Sequence, residues 1–477
     1  MGTAAPAARA PPLLSPSLMG FEANGTNAAS RRDRVRELAR SDTGKAAGMA
    51  VAQLVANAIA LAFVVVFARI LGDDGYGSLG SLLSLFLILY VPGQALQVAV
   101  AREVSARVAK GDPDPGAGVR RWIERLVVVT VVVTVASVFA RDALAALIAV
   151  EDFPWAAAAA PVGACIWMIL SVERGAMQAF ARYDAVGWSL IGQEALRLVG
   201  ALVLVAVGLD VTGAFLGSMI GFIFVAVALA FPLHRDLERA QQGRPGGAHQ
   251  EHRLRELFAR SWAPLLALAG IAVVQNVDVI VVNHRFSEET ASDWTAAAVA
   301  GKGVMWVAIG LGFWLVPEAA KRVHSGTDPR TALERAMAGV LLIGLPALLV
   351  YAVAGETILD IVFKLTGAAG ALPWLALAFT FLACTYLAIQ YLLALHHWRF
   401  LWPLGVAAVV QPILLASIDG GTTALARALC VVQAILATIV VTEALRTRSL
   451  PPGEQFDDEE LAEAERGEPT EPQGALA

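Results

Sequence analysis

The sequence predicts an all-α polytopic membrane protein of about twelve transmembrane helices, arranged as two six-helix lobes in a parallel pseudo-repeat. Three observations carry that prediction. Of 477 residues, 57% are hydrophobic and 16% charged, against roughly 45–50% and about 25% in a soluble domain. Apolar runs long enough to cross a bilayer, about 20 residues each, recur along the whole chain. The connections between those runs alternate between basic and acidic.

Taken in order, the runs are 46–70, 77–101, 122–140, 155–180, 185–208, 211–233, 262–283, 294–317, 333–353, 371–395, 400–418 and 423–444. The first two flank a short acidic turn, Gly72-Asp73-Asp74-Gly75. Pro92 and Gly93 predict a kink in the second, because proline removes a helix donor and crowds the preceding turn. Arg102-Glu103, Arg182 and Glu318 mark the basic-side ends of the second, fourth and eighth. Residues 358–363 read as a short interfacial helix before the tenth. The longest connection, 234–256, contains Gly243, Pro245, Gly246 and Gly247 and separates two sets of six.

This segmentation gives the expected organisation. Residues 1–43 form a disordered basic extension, 44–233 an N-lobe, 234–257 a linker, 258–446 a C-lobe and 447–477 an acidic disordered tail. Six spans return the chain to its starting side, so the halves share one orientation, as in transporters built from parallel repeats. Both halves open on a span with mid-helix amides, Gln53 and Asn57 in one, Gln275 and Asn276 in the other.

Charge sets the orientation. One set of connections holds Arg31 to Arg40, Arg107, Lys110, Arg120, Arg121, Arg182, Arg235, Arg239, Lys321, Arg322, Arg399 and Arg446. The other holds few cations, beside acids such as Asp73, Asp74, Glu151, Asp152, Glu288 and Glu289. By the positive-inside bias the first set, both termini and the linker are cytoplasmic, in an inner or plasma membrane. The formal net charge of −5 comes from the tail, where nine carboxylates oppose only Arg448 and Arg466. No basic stripe interleaved with aromatics appears, so nucleic acid is not an expected partner. Cys165, Cys384 and Cys430 all fall inside apolar runs, as small hydrophobes rather than metal ligands or a disulfide framework. Neither a metal nor a cofactor is expected.

Charges at membrane depth are costly, at least about 2.5–3.5 kcal/mol each on insertion scales, so they face a bundle interior or water. Glu194 and Arg197 lie midway along the fifth span, three apart, on one face. Glu173 and Arg174 sit in the inner half of the fourth, Asp278 in the outer half of the seventh, Lys302 in the outer half of the eighth. Gln94 and Gln97 flank the middle of the second. Competing readings stand beside a binding role: Arg174 or Lys302 can snorkel to headgroups, and Glu194–Arg197 can be a structural pair. Gln53, Asn57, Gln411 and Gln433 can be interhelical glue.

The run Phe67-Ala-Arg-Ile-Leu-Gly-Asp-Asp-Gly-Tyr-Gly77 is similar to the first outer hairpin of bacterial polysaccharide (O-antigen type) flippases. That family lies within the multidrug, oligosaccharidyl-lipid and polysaccharide exporter superfamily. Arg174-Gly-Ala-Met-Gln178 with Arg182-Tyr183 resembles its fourth-span ending. Val277-Asp278-Val-Ile-Val-Val-Asn283, with Phe286 and Ala296 to Gly301, resembles the start of its second half. Trp294, after Asp293, departs from the Gly-Tyr expected there, and the acidic tail is not a family feature. The resemblance spans roughly residues 44–446. It implies two lobes alternating between inward- and outward-open states, and an oligosaccharide on polyprenyl pyrophosphate as cargo, for cell-surface polysaccharide synthesis. Guanidinium forks suit phosphate oxygens, so Arg197, Arg174 and Lys302 are the expected headgroup contacts. Gln94, Gln275 and Asn276 are expected to meet sugar hydroxyls; Asp278, Glu194 or Glu173 to carry a coupling H⁺ or Na⁺. Polysaccharide-assembly proteins are further expected partners.

Two rival functions follow from the same residues. A multidrug/cation antiporter of the same superfamily would use Glu173, Glu194 and Asp278. A polyprenyl-dependent membrane glycosyltransferase would use Asp73-Asp74, but the short outer loops leave little room for a catalytic surface, so an enzyme is not expected.

Overall fold

The computed structural model describes residues 42–109, 114, 116–241, 253–324 and 327–447. The expected N-terminal extension with its basic stretch, the middle of the 234–257 connection and the acidic tail lie outside the described residues. Fourteen helices and no strand occur among the described residues. They are α1 (Asp42–Leu89), α2 (Val91–Ala109), α3 (Ala117–Phe139), α4 (Arg141–Leu147), α5 (Pro154–Ala179), α6 (Tyr183–Ala206) and α7 (Asp210–Gln241). A second set follows: α8 (Arg253–Arg285), α9 (Glu288–Gly301), α10 (Gly303–His324), α11 (Arg330–Val362), α12 (Leu372–Ala394), α13 (Leu401–Ser417) and α14 (Thr422–Arg446).

Among the described residues ten stretches are long and apolar enough to span a membrane. The first of them, Val51–Val108, is two passes, because α1 breaks at Gly72. Gly72 has φ 54° and ψ −145°, a conformation that only glycine adopts without strain. With the shorter α13, 17 residues long, this makes twelve passes. The chain puts its apolar surface where lipid would be. Phe139, Val353, Trp402 and Leu342 are more than three-quarters exposed, and α3 exposes valines around most of its circumference. A soluble protein does not tolerate such a belt.

Two passes at corresponding places in the halves are broken. The second pass breaks at Tyr90, ahead of Pro92; the eighth breaks at Lys302, between Gly301 and Gly303. Residues 358–362 are not a separate interfacial helix, as the sequence suggests. They continue α11 past a kink at Ala354, eight residues after Pro346.

Helices α1–α7 pack largely among themselves, α6 on α7 and α2 on α5 most extensively; α8–α14 do likewise around α12. The main contacts between the groups are α1 with α8 and α9, and α2 with α8. Many of them gather at the end that carries the acidic turns. There Gly77 N donates to Ser292 Oγ at 2.8 Å, and Ser292 Oγ donates to Asp73 O at 2.8 Å. A Cβ at Gly77 would meet the Ala291 and Ser292 backbone at 2.9 Å. Asn283 Nδ2 donates to Ala149 O at 2.5 Å, and Arg69 reaches the Ile361 and Val362 carbonyls. This end is closed.

The α6–α7 contact is set by glycines four apart on α7. A Cβ at Gly217 would collide with the Ala201 backbone, and one at Gly221 would lie 2.7 Å from Gln193 O. The small residues let the two backbones approach closely. Gly217→Val is expected to overpack this seam and cost about 1–3 kcal/mol or more. Gly405→Ala, where an added Cβ meets nothing, should leave stability within about 0.5 kcal/mol. Thermal survival of monodisperse protein in detergent checks both.

Candidate functional site

The charged residues at membrane depth resolve into two enclosed groups, one in each half. In the first, α5 ends at Ala179 and α6 begins at Tyr183, so the short turn lays Arg174 opposite the start of α6. Arg174 is 1% exposed. Its Nε donates to Ser189 Oγ at 2.9 Å, and its Nη2 to Ser189 O at 3.0 Å and Gln193 Oε1 at 2.9 Å. This geometry overturns the snorkelling alternative: the guanidinium is satisfied by α6 inside the bundle and reaches no headgroup.

The row continues along α6. Gln193 Nε2 donates to Glu194 Oε1 at 2.8 Å, and Glu194 Oε2 lies 3.3 Å from Arg197 Nη1. The Arg197 guanidinium stands 3.9 Å from the centre of the Phe63 ring on α1, a cation–π contact. Gly221 of α7 backs the row at Arg197 N, 3.1 Å from an added Cβ. Arg197 remains 16% exposed in its side chain, yet its Nε has no hydrogen-bond partner. Glu173, 2% exposed, also leaves Oε2 without one. The row therefore holds two guanidiniums and two carboxylates, and both orphaned atoms belong to charged groups.

In the second group Asp278 of α8 is fully buried. Trp294 Nε1 on α9 donates to its Oδ2 at 3.2 Å, and Lys302 Nζ stands 3.6 Å from its Oδ1, an ion pair rather than a hydrogen bond. Lys302 also donates to Asn276 Oδ1 at 3.5 Å and lies 5.3 Å from the Phe379 ring centre. Asn276 Nδ2 is engaged by Ala272 O on its own helix. Lys302 occupies the α9–α10 break, where neighbouring glycines leave room for the ammonium to turn inward. Its outward snorkelling is overturned as well.

The remaining candidates separate. Gln94, exposed, donates to Tyr90 Oη at 2.9 Å. Gln275 is half-buried and makes no side-chain hydrogen bond among the described residues. Gln411 and Gln433 are glue, as expected: Gln433 Nε2 donates to Gln411 Oε1, and Gln411 Nε2 to Val274 O on α8. Gln53 and Asn57 instead pair with each other on one helix. No hydrogen bond or ion pair among the described residues joins the two ionic groups. Asp73 and Asp74 are exposed at the start of the second pass, beside Gly72. Sequence reasoning missed Ser189, Gln193, Phe63 and Trp294. The spacing Ser189, Gln193, Arg197, one helix face in steps of four, was the available signal for two of them.

The fold is shared with solved transporters. A multidrug-resistance MATE family transporter of the MOP superfamily, in an inward-facing conformation, superimposes with a TM-score of 0.70 at 12% identity, over 83% of this chain and 94% of that one. The lipid II flippase MurJ, in an inward closed conformation, gives 0.63 at 11% identity over 84% and 88%. An outward-facing MATE transporter gives 0.60 at 14% over 86% and 97%. A comparison with curated protein sequences returns no match. The family profile described as polysaccharide biosynthesis protein matches residues 45–314, more than half of the sequence and both ionic groups. The chain belongs to that family.

Proposed function

We propose that this protein moves an oligosaccharide carried on polyprenyl pyrophosphate from the inner to the outer leaflet by alternating access, serving cell-surface polysaccharide synthesis. The observation that carries the reading is the Arg174–Gln193–Glu194–Arg197 row, a polar, guanidinium-bearing line enclosed between helices of the first half. Carrying a pyrophosphate through hydrocarbon unaided is prohibitive. Arg197, with an unpaired Nε and residual exposure, is the group best placed to meet it. Arg174 holds the row in shape, and Lys302 is the second cation. Each cation is already held by a carboxylate, so an arriving pyrophosphate competes with Glu194 and Asp278. A proton or Na⁺ taken up by a displaced carboxylate would couple transport to an ion gradient. The N-lobe (44–233), linker (234–257) and C-lobe (258–446) act as the moving units, with both termini cytoplasmic and the closed acidic end facing out. The higher TM-score with the inward-facing than with the outward-facing MATE structure, 0.70 against 0.60, agrees with that state.

Arg197→Ala is expected to lower transport about 10- to 100-fold, the scale of a lost charge-assisted contact, with normal protein level. The measurement is carrier-linked glycan in each leaflet of membranes from cells carrying the variant. Accumulation on the cytoplasmic side supports the reading; unchanged distribution sinks it. A second reading, a multidrug/cation antiporter, is favoured by Glu173, a buried carboxylate with an unpaired oxygen. It predicts broad drug hypersensitivity in a deletion strain with normal surface glycans.

A further inference from the structure

The fourth and tenth passes, at corresponding places in the two halves, open on the same dipeptide. Pro154-Trp155 starts α5, and Pro373-Trp374 lies in the first turn of α12. Both indoles are exposed, and each has a guanidinium over its ring. Arg141 stands 4.8 Å from the Trp155 ring centre and Arg427 5.2 Å from that of Trp374. Both pairs lie at the closed end. Ala149, ahead of α5, is held there by Asn283. Gly367 N, ahead of α12, donates to Asp293 Oδ1 at 2.8 Å, and Asp419, ahead of α14, accepts from Arg285 Nη2 at 3.0 Å. Arg427 is five residues into α14, about 7.5 Å of helical rise inside the last pass.

An apolar row leads away from each arginine. Val431, Ile435 and Ile439 follow Arg427 in steps of four on one face of α14, all exposed. Val131, Val135 and Phe139 lead up to Arg141 along α3 at the same spacing, also exposed. The two arginines differ in their polar contacts. Arg141 Nε has Asp142 Oδ1 at 3.5 Å. Arg427 makes no hydrogen bond or ion pair among the described residues, so its five N–H donors stay open beside the ring contact.

We propose that Arg427 and Trp374 bind the phosphate of an anionic phospholipid in the leaflet at the closed end, with Arg141 and Trp155 as a weaker counterpart in the first half. An exposed arginine on a spanning helix extends toward the headgroup layer, where phosphate is the available acceptor. The guanidinium fork matches phosphate oxygens, and the indole holds it at the interfacial level that tryptophan favours. An acyl chain below that phosphate lies along Val431, Ile435 and Ile439. Net charge sets the choice of lipid: a zwitterionic headgroup carries its own cation beside the phosphate, whereas an anionic one offers an uncompensated charge. Asp142 competes for Arg141, which makes that site the weaker. None of these residues belongs to either buried ionic group, so the inference holds for any cargo.

The test takes the full chain, purified in mild detergent and titrated with phosphatidylglycerol or with phosphatidylcholine of the same chains. Bound lipids are counted by native mass spectrometry. The unaltered protein is expected to bind its first phosphatidylglycerol about tenfold tighter than phosphatidylcholine. Arg427→Gln should remove that preference, the scale of one charge-assisted contact, and Arg427→Lys, a charge without the fork, should remove part of it. Arg141→Gln should weaken only the second phosphatidylglycerol. Equal affinity for the two lipids in the unaltered protein overturns the proposal, as does an unchanged preference in Arg427→Gln. Loss of both lipids together in Arg427→Gln assigns the arginine to the fold and also overturns it. Displacement of phosphatidylglycerol by equimolar sn-glycerol 3-phosphate would make this a site for soluble phosphates and overturn the lipid assignment.

Discussion

Lys302→Ala is expected to destabilise the protein by about 3–5 kcal/mol, the scale of a buried ion pair broken from one side. Asp278 is fully buried, and its Oδ1 has the ammonium at 3.6 Å and no hydrogen bond. Removing the ammonium leaves one neutral donor, Trp294 Nε1, against a full negative charge. Lys302→Ala/Asp278→Asn is expected to recover most of the loss, because it removes both charges and keeps an acceptor for the indole. Thermal survival in detergent of the two single variants and the double variant closes the cycle. Transport should not recover in the double variant, since the proposed headgroup contact is gone. A double variant restored in both stability and transport would make the pair structural and take Lys302 out of the cargo path.

The all-helical, multi-pass character of the chain and its grouping into two sets of packed helices were legible in the sequence, because they follow from composition and from the lengths of the apolar runs. The pairing of the buried charges was legible only in part. Glu194 and Arg197 share a helix face, so their contact follows from spacing. Arg174 finds Ser189 and Gln193 because the short turn after α5 lays the end of that helix beside the start of α6. No local pattern announces that an arginine five residues, about 7.5 Å of helical rise, from the end of α5 will bury itself rather than snorkel. Trp294 illustrates the same limit. As a departure from the family pattern it looked incidental, whereas its indole supplies the hydrogen bond that holds Asp278. Helix breaks were half legible. Pro92 announces the break at Tyr90, but only the fold shows that the Lys302 break turns a cation toward Asp278.

Arg69→Ala combined with Asn283→Ala is expected to loosen the closed end and raise its solvent access about tenfold. Arg69 Nε donates to Val362 O at 3.0 Å, with Nη2 on Ile361 O, at the C-terminus of α11. Asn283 Nδ2 and His284 Nε2 meet Ala149 O at 2.5 Å and Leu147 O at 2.9 Å, at the C-terminus of α4. The first pass of each half thus ends on the terminal carbonyls of a helix in the other half. Such carbonyls have no partner within their own helix and form the negative end of its dipole. Ala149, whose own carbonyl accepts from Asn283, and Lys364, two residues past Val362, have positive φ and turn the chain away from these helix ends. Arg69 is exposed, so solvent screens part of its contribution, and the paired substitution is worth about 1.4 kcal/mol or somewhat more, which is the tenfold. The readout is the labelling rate of Thr295→Cys by a membrane-impermeant maleimide, in a background lacking Cys165, Cys384 and Cys430. Thr295 is 2% exposed beneath this end, against Gly80, and labels only when the halves part there. Arg69→Lys keeps the charge without the fork, so its rate should fall between the two. Labelling that stays slow in the double variant would place closure in the Gly77–Ser292 and Gly80–Thr295 packing alone, with the helix-end contacts following the closure rather than holding it.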